Sequence, residues 1–361
     1  MISHFIVYNF ILTFSTFFAY LYSKEKNKLL SYFYITISLL AIITPTILRY
    51  DVGPDYKGYI GIFTEIKKGI DKPWYVEHLF YYISSLFSFS KHGYVYVLSI
   101  YFICSIILIL NLSKKNNIHY VFLFFITLNI GYFTFDDQVR QALAMSIFAY
   151  SMKYIKSNEF TKYTIVCLIA SICHTSALFM IPFFYIAKIK WPKHIMFIVI
   201  LFSIISFYLG WINIVIKQLF SILPIYKNYA YNNSYTNIGE AVGSGLGVLL
   251  NVLIISICII SSNKKNDYKI INFIFFGIIL LLISSGNLNI SRMSKYFLIF
   301  SIFVLSDILS TSKDILFKIG ITLFLILFFQ VSIYKRYTVN LEYQSIFNIN
   351  YEYNMTRDRD Y

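Results

Sequence analysis

Four stretches of this chain combine residue types and spacing that could do chemistry. The first, "LRYDVGPDYKGY", starts at Leu48 and sets Arg49, Asp51 and Asp55 around Gly53 and Pro54, directly after a long apolar run. An arginine there offers a planar fork that fits phosphate, and an aspartate could accept the proton of an attacking hydroxyl. Ionisable groups gathered at the mouth of a membrane span are commonly functional. The same residues also have a local structural reading. Pro54 suits the first position of a helix, Asp55 then falls in its first turn, and Gly69 with Pro73 ends it. Tyr56, Tyr59, Ile60, Phe63 and Ile66 share one face, which predicts an amphipathic helix lying on the outer surface of a membrane. On that reading Asp55 suits the helix dipole, worth about 0.3–1 kcal/mol, and Arg49 snorkels to lipid headgroups. Asp51 is left unexplained.

In "FDDQVRQALAMSIFAY", Asp136 and Asp137 can cap a helix whose first turn contains Arg140. A cation there faces the positive end of the dipole, so something should compensate it. Either Asp136, four residues back, pairs with Arg140, or Arg140 and the amides of the helix start hold an anionic ligand. The third stretch is "IASICHTSALFMIP". His174 is there either a neutral histidine satisfied by a backbone carbonyl or, with Thr175 and Ser176, part of a polar pocket at a helix break. In "NLNISRMSKYF", Arg292 again opens a span on the outer side, and Lys295 and Tyr296 share its helix face. Headgroup anchoring is the alternative for this group.

These groups need elements to hold them. The chain is 58% hydrophobic and 13% charged, too apolar for a soluble domain, so an all-α polytopic membrane protein is expected. Apolar stretches predict spans near residues 5–22, 30–48, 93–112, 120–135, 138–154, 194–211, 246–261, 270–285, 292–309 and 315–334. The expectation is about ten full crossings and about 10–12 transmembrane or re-entrant helices in all. Segment 162–188 has basic loops on both sides, which one crossing cannot satisfy. A break near His174, Thr175 and Ser176 would let two half-helices dip in and return, covered by protein or a water-filled cavity.

The Lys-rich loops "SKEKNK", "SKKNN" and "SSNKKN" belong inside. Residues 49–92 and 212–244 then form outer loops, and the tyrosine-rich 335–361 an extracytoplasmic tail. Residues 1–334 are expected to be one membrane domain with no attached ATPase or nucleotide-sugar module. Positive charge follows the first apolar stretch instead of preceding it, so that stretch should remain as a first helix with its start outside. The net charge of +14 would suggest nucleic acid in a soluble protein. Here topology accounts for it, and no nucleic-acid partner is expected.

Other patterns point away from familiar chemistries. Cys104, Cys167, Cys173 and Cys258 lie inside apolar runs without CxxC spacing, which predicts free buried thiols and no metal site. "VGSGLG" lacks the strand and acidic residue of a dinucleotide fold, so Gly243, Gly245 and Gly247 read as a flexible or close-packed lead-in to the next span. "DRD", with Asp358 and Asp360, is similar to the DxD of nucleotide-sugar transferases but sits in a terminal tail on the wrong side. No Walker A, HExxH or GxSxG sequence occurs.

Taken in order, "RYDVGPDYKGY", "EHLFYYISSLF", "RQALAMSIFAYSMKYI", "HTSALFMIPFFYIAK", "GSGLG" and "SRMSKYF" resemble the EpsG family of Wzy-like polysaccharide polymerases over nearly the whole chain. The resemblance implies a fold like that of multi-span lipid-linked-sugar glycosyltransferases. It implies a bacterial inner-membrane enzyme whose site faces the periplasm or exterior. That enzyme would join undecaprenyl-diphosphate-linked repeat units into O-antigen, capsule or exopolysaccharide. No nucleotide sugar, metal or other cofactor is implied. Membrane lipids, a flippase and a chain-length regulator of the same pathway are the implied partners.

The matched polar positions are Arg49, Asp51, Gly53, Asp55, Glu77, Arg140, His174 and Arg292, and the C-terminal region matches loosely. For such a reaction Arg140 and Arg292, with Arg49 as a third cation, are assigned to the diphosphate. Asp55 or Asp51 is the favoured general base, and His174 an alternative base or orienting group. Glu77, Lys295 and Tyr296 complete the candidate site. Two other classes would use similar residues: a flippase for the same lipid-linked substrate, and a membrane O-acyltransferase centred on His174. A flippase should spread its charges through the bilayer midplane and usually shows internal repeats, and neither feature is evident.

Overall fold

The computed structural model of the protein describes residues 2–70, 72–73, 75–115, 120–210, 218, 221, 245–262, 268–284, 288–338 and 343–348. Among them the regular structure is helical, without a strand, and one isolated bridge joins Arg49 to Ser345. Among the described residues five helices are long and apolar enough to cross a membrane: Ser3–Lys24, Lys28–Leu48, Gly93–Leu112, Ile290–Thr311 and Ile315–Thr338. Shorter apolar helices include Phe160–Cys173, Lys193–Leu209, Leu246–Ser261 and Tyr268–Ile283. The chain is an all-α polytopic membrane protein. Of the two expected outer loops, 212–244 falls outside the described residues apart from positions 218 and 221. So do Gly243 and the "DRD" of the tail.

The contacts divide the chain into two compact units. Unit 1 comprises Met1–Ile147, Leu168–Thr175 and Leu309–Tyr361. Its first helices, α1 (Ile2–Lys24) and α2 (Lys28–Leu48), pack closely through small residues, with the Ser38 hydroxyl donating to the Ser15 carbonyl at 2.7 Å. Asn27 starts α2 by accepting from the Leu29 and Leu30 amides. Next come α3 (Tyr56–Lys67) and α4 (His78–Leu86) in the loop that follows α2, then α5 (Gly93–Lys115). The apolar face expected of α3 is present: Tyr56, Tyr59, Ile60, Phe63 and Ile66 are all buried. Gly69, at φ 74°, closes its C-terminal end as the spacing predicted.

The expected spans 120–135 and 138–154 are instead broken into pieces. They are α6 (Tyr120–Ile126), a π-helical turn at Thr127–Gly131, α7 (Tyr132–Asp137), α8 (Val139–Ala149) and α9 (Met152–Ser157). In the π turn the Asn129 side-chain amide donates to the Phe125 carbonyl at 2.7 Å, and such insertions often lie near functional sites. Gln138 then separates α7 from α8.

The helix break predicted near His174 is present. α10 (Phe160–Cys173) stops one residue before it, and a 3-10 segment at Thr175–Met180 follows. All four cysteines are free, but Cys104 is exposed on α5, contrary to the expectation of burial. An apolar thiol is at no disadvantage facing a lipid solvent.

Unit 2 comprises Phe148–Cys167 and Ser176–Ile308. It contains α11 (Phe183–Ile186), α12 (Lys193–Leu209), α13 (Leu246–Ser261), α14 (Tyr268–Ile283) and most of α15 (Leu288–Thr311). Its core is built on α14, where Phe273 meets Phe148, Phe297 and Phe300. Gly277 lets α15 approach, since a Cβ there would lie 2.8 Å from that of Phe297. The last helix, α16 (Ile315–Thr338), belongs to unit 1 and runs past the expected end at 334.

Candidate active site

Glu77 is the hub of the first polar cluster in unit 1. It occupies the N-cap position of α4 with extended backbone, yet its side chain makes no capping bond. Its carboxylate instead reaches two other segments. Oε2 accepts from Arg140 at 2.7 Å, and Oε1 meets His174 Nδ1 at 2.7 Å and the Thr175 amide at 3.3 Å. A local cap is given up for two long-range partners, a trade that points to a site.

Burial works against the Glu77 charge, but the bond from His174 and the Arg140 guanidinium outweigh it and hold the carboxyl down at about 2. An ionised carboxylate only accepts, so His174 must present Nδ1–H to it. In the neutral ring Nε2 is then left with its lone pair. The His174 side chain keeps 24% of its surface exposed, against 4% for Glu77. Arg140 lies in the first turn of α8, with its guanidinium over the neighbouring rings of Tyr59 (5.5 Å) and Phe80 (5.3 Å). Its Nε–H meets no acceptor among the described residues.

A second cluster in unit 1 is fully ionic. Arg49 pairs with Asp136, and Arg336 of α16 pairs with Asp137 at 2.6 Å and reaches Asp136 at 3.9 Å. The Arg336 guanidinium also lies 4.6 Å over the Phe133 ring. The loop carrying Arg49 closes onto this cluster. Asp51 (φ 47°) and Gly53 (φ 107°) take positive φ, and a Cβ on Gly53 would fall 2.6 Å from Asp137 Oδ1. Residues 343–345 lie along the loop. The Tyr50 amide donates to the Gln344 carbonyl (2.8 Å), the Tyr343 amide to His4 Nδ1 (2.8 Å), and the Tyr343 hydroxyl to the Pro45 carbonyl (3.0 Å).

Several sequence expectations are thereby corrected. Arg140 does not pair with Asp136; its carboxylate is Glu77, 63 residues back in the chain. Asp136 and Asp137 are the last residues of α7 and do not cap α8, because Gln138 intervenes. Arg49 does not snorkel; it is 4% exposed and bound to Asp136. The His174 ring is satisfied by a carboxylate, not by a backbone carbonyl.

Among the expected bases, Asp51 is completely buried, and Asp55 is the N-cap of α3 without a side-chain capping bond. Arg292, Lys295 and Tyr296 lie on α15 in unit 2, where the Tyr296 hydroxyl is 3.0 Å from that of Ser176. Arg336 was missed by the sequence reading. The signal was weak, a lone arginine at the end of the last apolar run. No three His, Cys, Asp or Glu side chains among the described residues gather into a metal-binding group.

A sequence model of the EpsG family matches residues 32–352. No curated protein and no solved structure matches the chain.

Proposed function

The chain belongs to the EpsG family of Wzy-like polymerases, and we propose that it joins oligosaccharide repeat units carried on undecaprenyl diphosphate into a surface polysaccharide. The reaction would take place on the outer face of a bacterial inner membrane. One observation carries the reading. A single buried carboxylate holds an imidazole by Nδ1 and a guanidinium by one nitrogen, leaving Nε2 and part of the arginine for substrate.

In this mechanism His174 Nε2 takes the proton of the acceptor sugar's hydroxyl as its oxygen bonds to the donor's anomeric carbon. The bond from that carbon to the diphosphate oxygen breaks, and the electron pair leaves with undecaprenyl diphosphate. Glu77 keeps the ring in the tautomer that can accept, then balances the imidazolium that forms. Arg140 stabilises the charge growing on the leaving diphosphate, a role its planar fork suits. His174 is preferred to Asp51 and Asp55 as base. Asp51 has no exposed surface through which to meet a hydroxyl, and Asp55 is the N-cap residue of α3.

The test is deletion in the native host, with its surface polysaccharide run on a gel. Single-repeat product accumulating on the outer leaflet, with loss of the long-chain ladder, is expected. Lipid-linked substrate retained on the inner leaflet would indicate a flippase instead. Full-length chains missing only a substituent would indicate an acyltransferase.

A further inference from the structure

We propose that Arg336 is a positioning residue of this site: by neutralising Asp137 it holds the α7–α8 corner that carries Arg140 and the loop that carries Arg49 and Asp51. The inference rests on the polymerase reading for its activity readout, and on geometry for the rest. Arg336, Arg49 and Asp136 are each less than a tenth exposed, and Asp137 only slightly more, so their charges must be compensated from within. Two guanidinia meet two carboxylates there. The pairing is ordered: Asp137 has Arg336, and Asp136 has Arg49 with Arg336 farther off at 3.9 Å.

Asp137 is also the contact point for the loop, because Gly53 packs against its Oδ1 so closely that no side chain fits between them. From Asp137 the chain turns at Gln138 and enters α8, whose first turn contains Arg140. Arg336 therefore sits behind the point where both segments start. Its ion pairs among the described residues are with Asp137 and Asp136, not with Glu77 or His174. Without its cation, Asp137 would be a buried anion pressed against Gly53. Asp136 would also lose part of the positive field it shares with Arg49. Relief requires the corner to shift, and Arg140 shifts with it.

The role predicts a specific rescue. Arg336→Gln should leave the full-length protein in the membrane but cut long-chain polymer about tenfold or more, and lower its Tm in detergent. Adding Asp137→Asn removes the orphaned anion, so R336Q/D137N should recover polymer to within about threefold of wild type, with non-additive Tm changes. A residue that touched the diphosphate itself would not be rescued in this way.

If R336Q does not accumulate, Arg336→Lys takes its place. It keeps the charge but not the fork, and should give intermediate polymer, again restored toward wild type by D137N. The proposal is overturned if the double variant is as inactive as R336Q at equal membrane abundance, or if R336Q makes wild-type polymer. A parallel His174→Gln strain separates the two readings. Normal polymer from H174Q would sink the catalytic assignment, while the Arg336–Asp137 coupling would still be read from Tm.

Discussion

The two polar clusters of unit 1 use nearly the same side chains for different ends. Around Asp136 and Asp137, two carboxylates and two arginines close on one another, and the Arg49 and Asp136 side chains are 4% and 1% exposed. Around Glu77, one carboxylate serves two basic groups, and Arg140 and His174 remain 17% and 24% exposed. The first cluster is balanced and shut; the second has a nitrogen to spare and a way in. Buried ion pairs are weak contributors to net stability but costly to break, so the closed cluster sets geometry. On the proposed mechanism, the open one meets the substrate hydroxyl and the diphosphate.

The contrast can be broken from either side. Apart from loss of the His174 base, the largest effect is expected from Arg140→Ala, which on the proposed mechanism removes a transition-state contact and should lower the polymerisation rate about 10²–10³-fold with the protein still inserted. A purified-enzyme assay on lipid-linked repeat units would show it. On the closed side, Asp136→Asn strands Arg49 and should destabilise the protein by about 3–5 kcal/mol, read as a lower Tm in detergent. A smaller loss, about 1–3 kcal/mol, is expected from Gly53→Ala, which forces a side chain into positive φ and against Asp137. Equal Tm values for wild type and G53A would show that the loop does not press on the cluster.

The smallest effect is a pH dependence. Because the folded-state value of Glu77 is depressed to about 2 from 4.5, its contribution to stability is fully present above 4.5. It fades as pH falls from there and is lost through about 2. The Tm difference between wild type and Glu77→Gln should thus be constant from pH 7 down to the upper end of that window and shrink below it. A difference that already collapses near pH 6 would mean that Glu77 is not held by Arg140 and His174.

Much of the scaffold was legible because its cause is local. Length and hydropathy announce the long helices, the 3.6-residue spacing of Tyr56, Tyr59, Ile60, Phe63 and Ile66 gives α3 its buried face, and the basic flanks of 162–188 led to the break at His174. The polar partners were less legible. Glu77 reaches Arg140 across 63 residues and His174 across 97, and no i, i+4 rule speaks to such distances. The nearest carboxylate in sequence, Asp136, was the natural partner to expect for Arg140. Tertiary packing gave it to Arg49 instead, because Gln138 ends α7 before α8 begins. Arg336 had no local motif at all, and its meaning comes only from the two aspartates 199 and 200 positions earlier.

The proposed mechanism depends most directly on His174 acting as a base. The decisive measurement is the single-turnover rate of glycosidic-bond formation between two lipid-linked repeat units by purified wild type and His174→Gln in vesicles of the same lipid. A drop of about 10²–10⁴-fold, with donor binding unchanged, is the predicted result. A rate within about threefold of wild type would contradict the mechanism, since a lost general base costs far more than that.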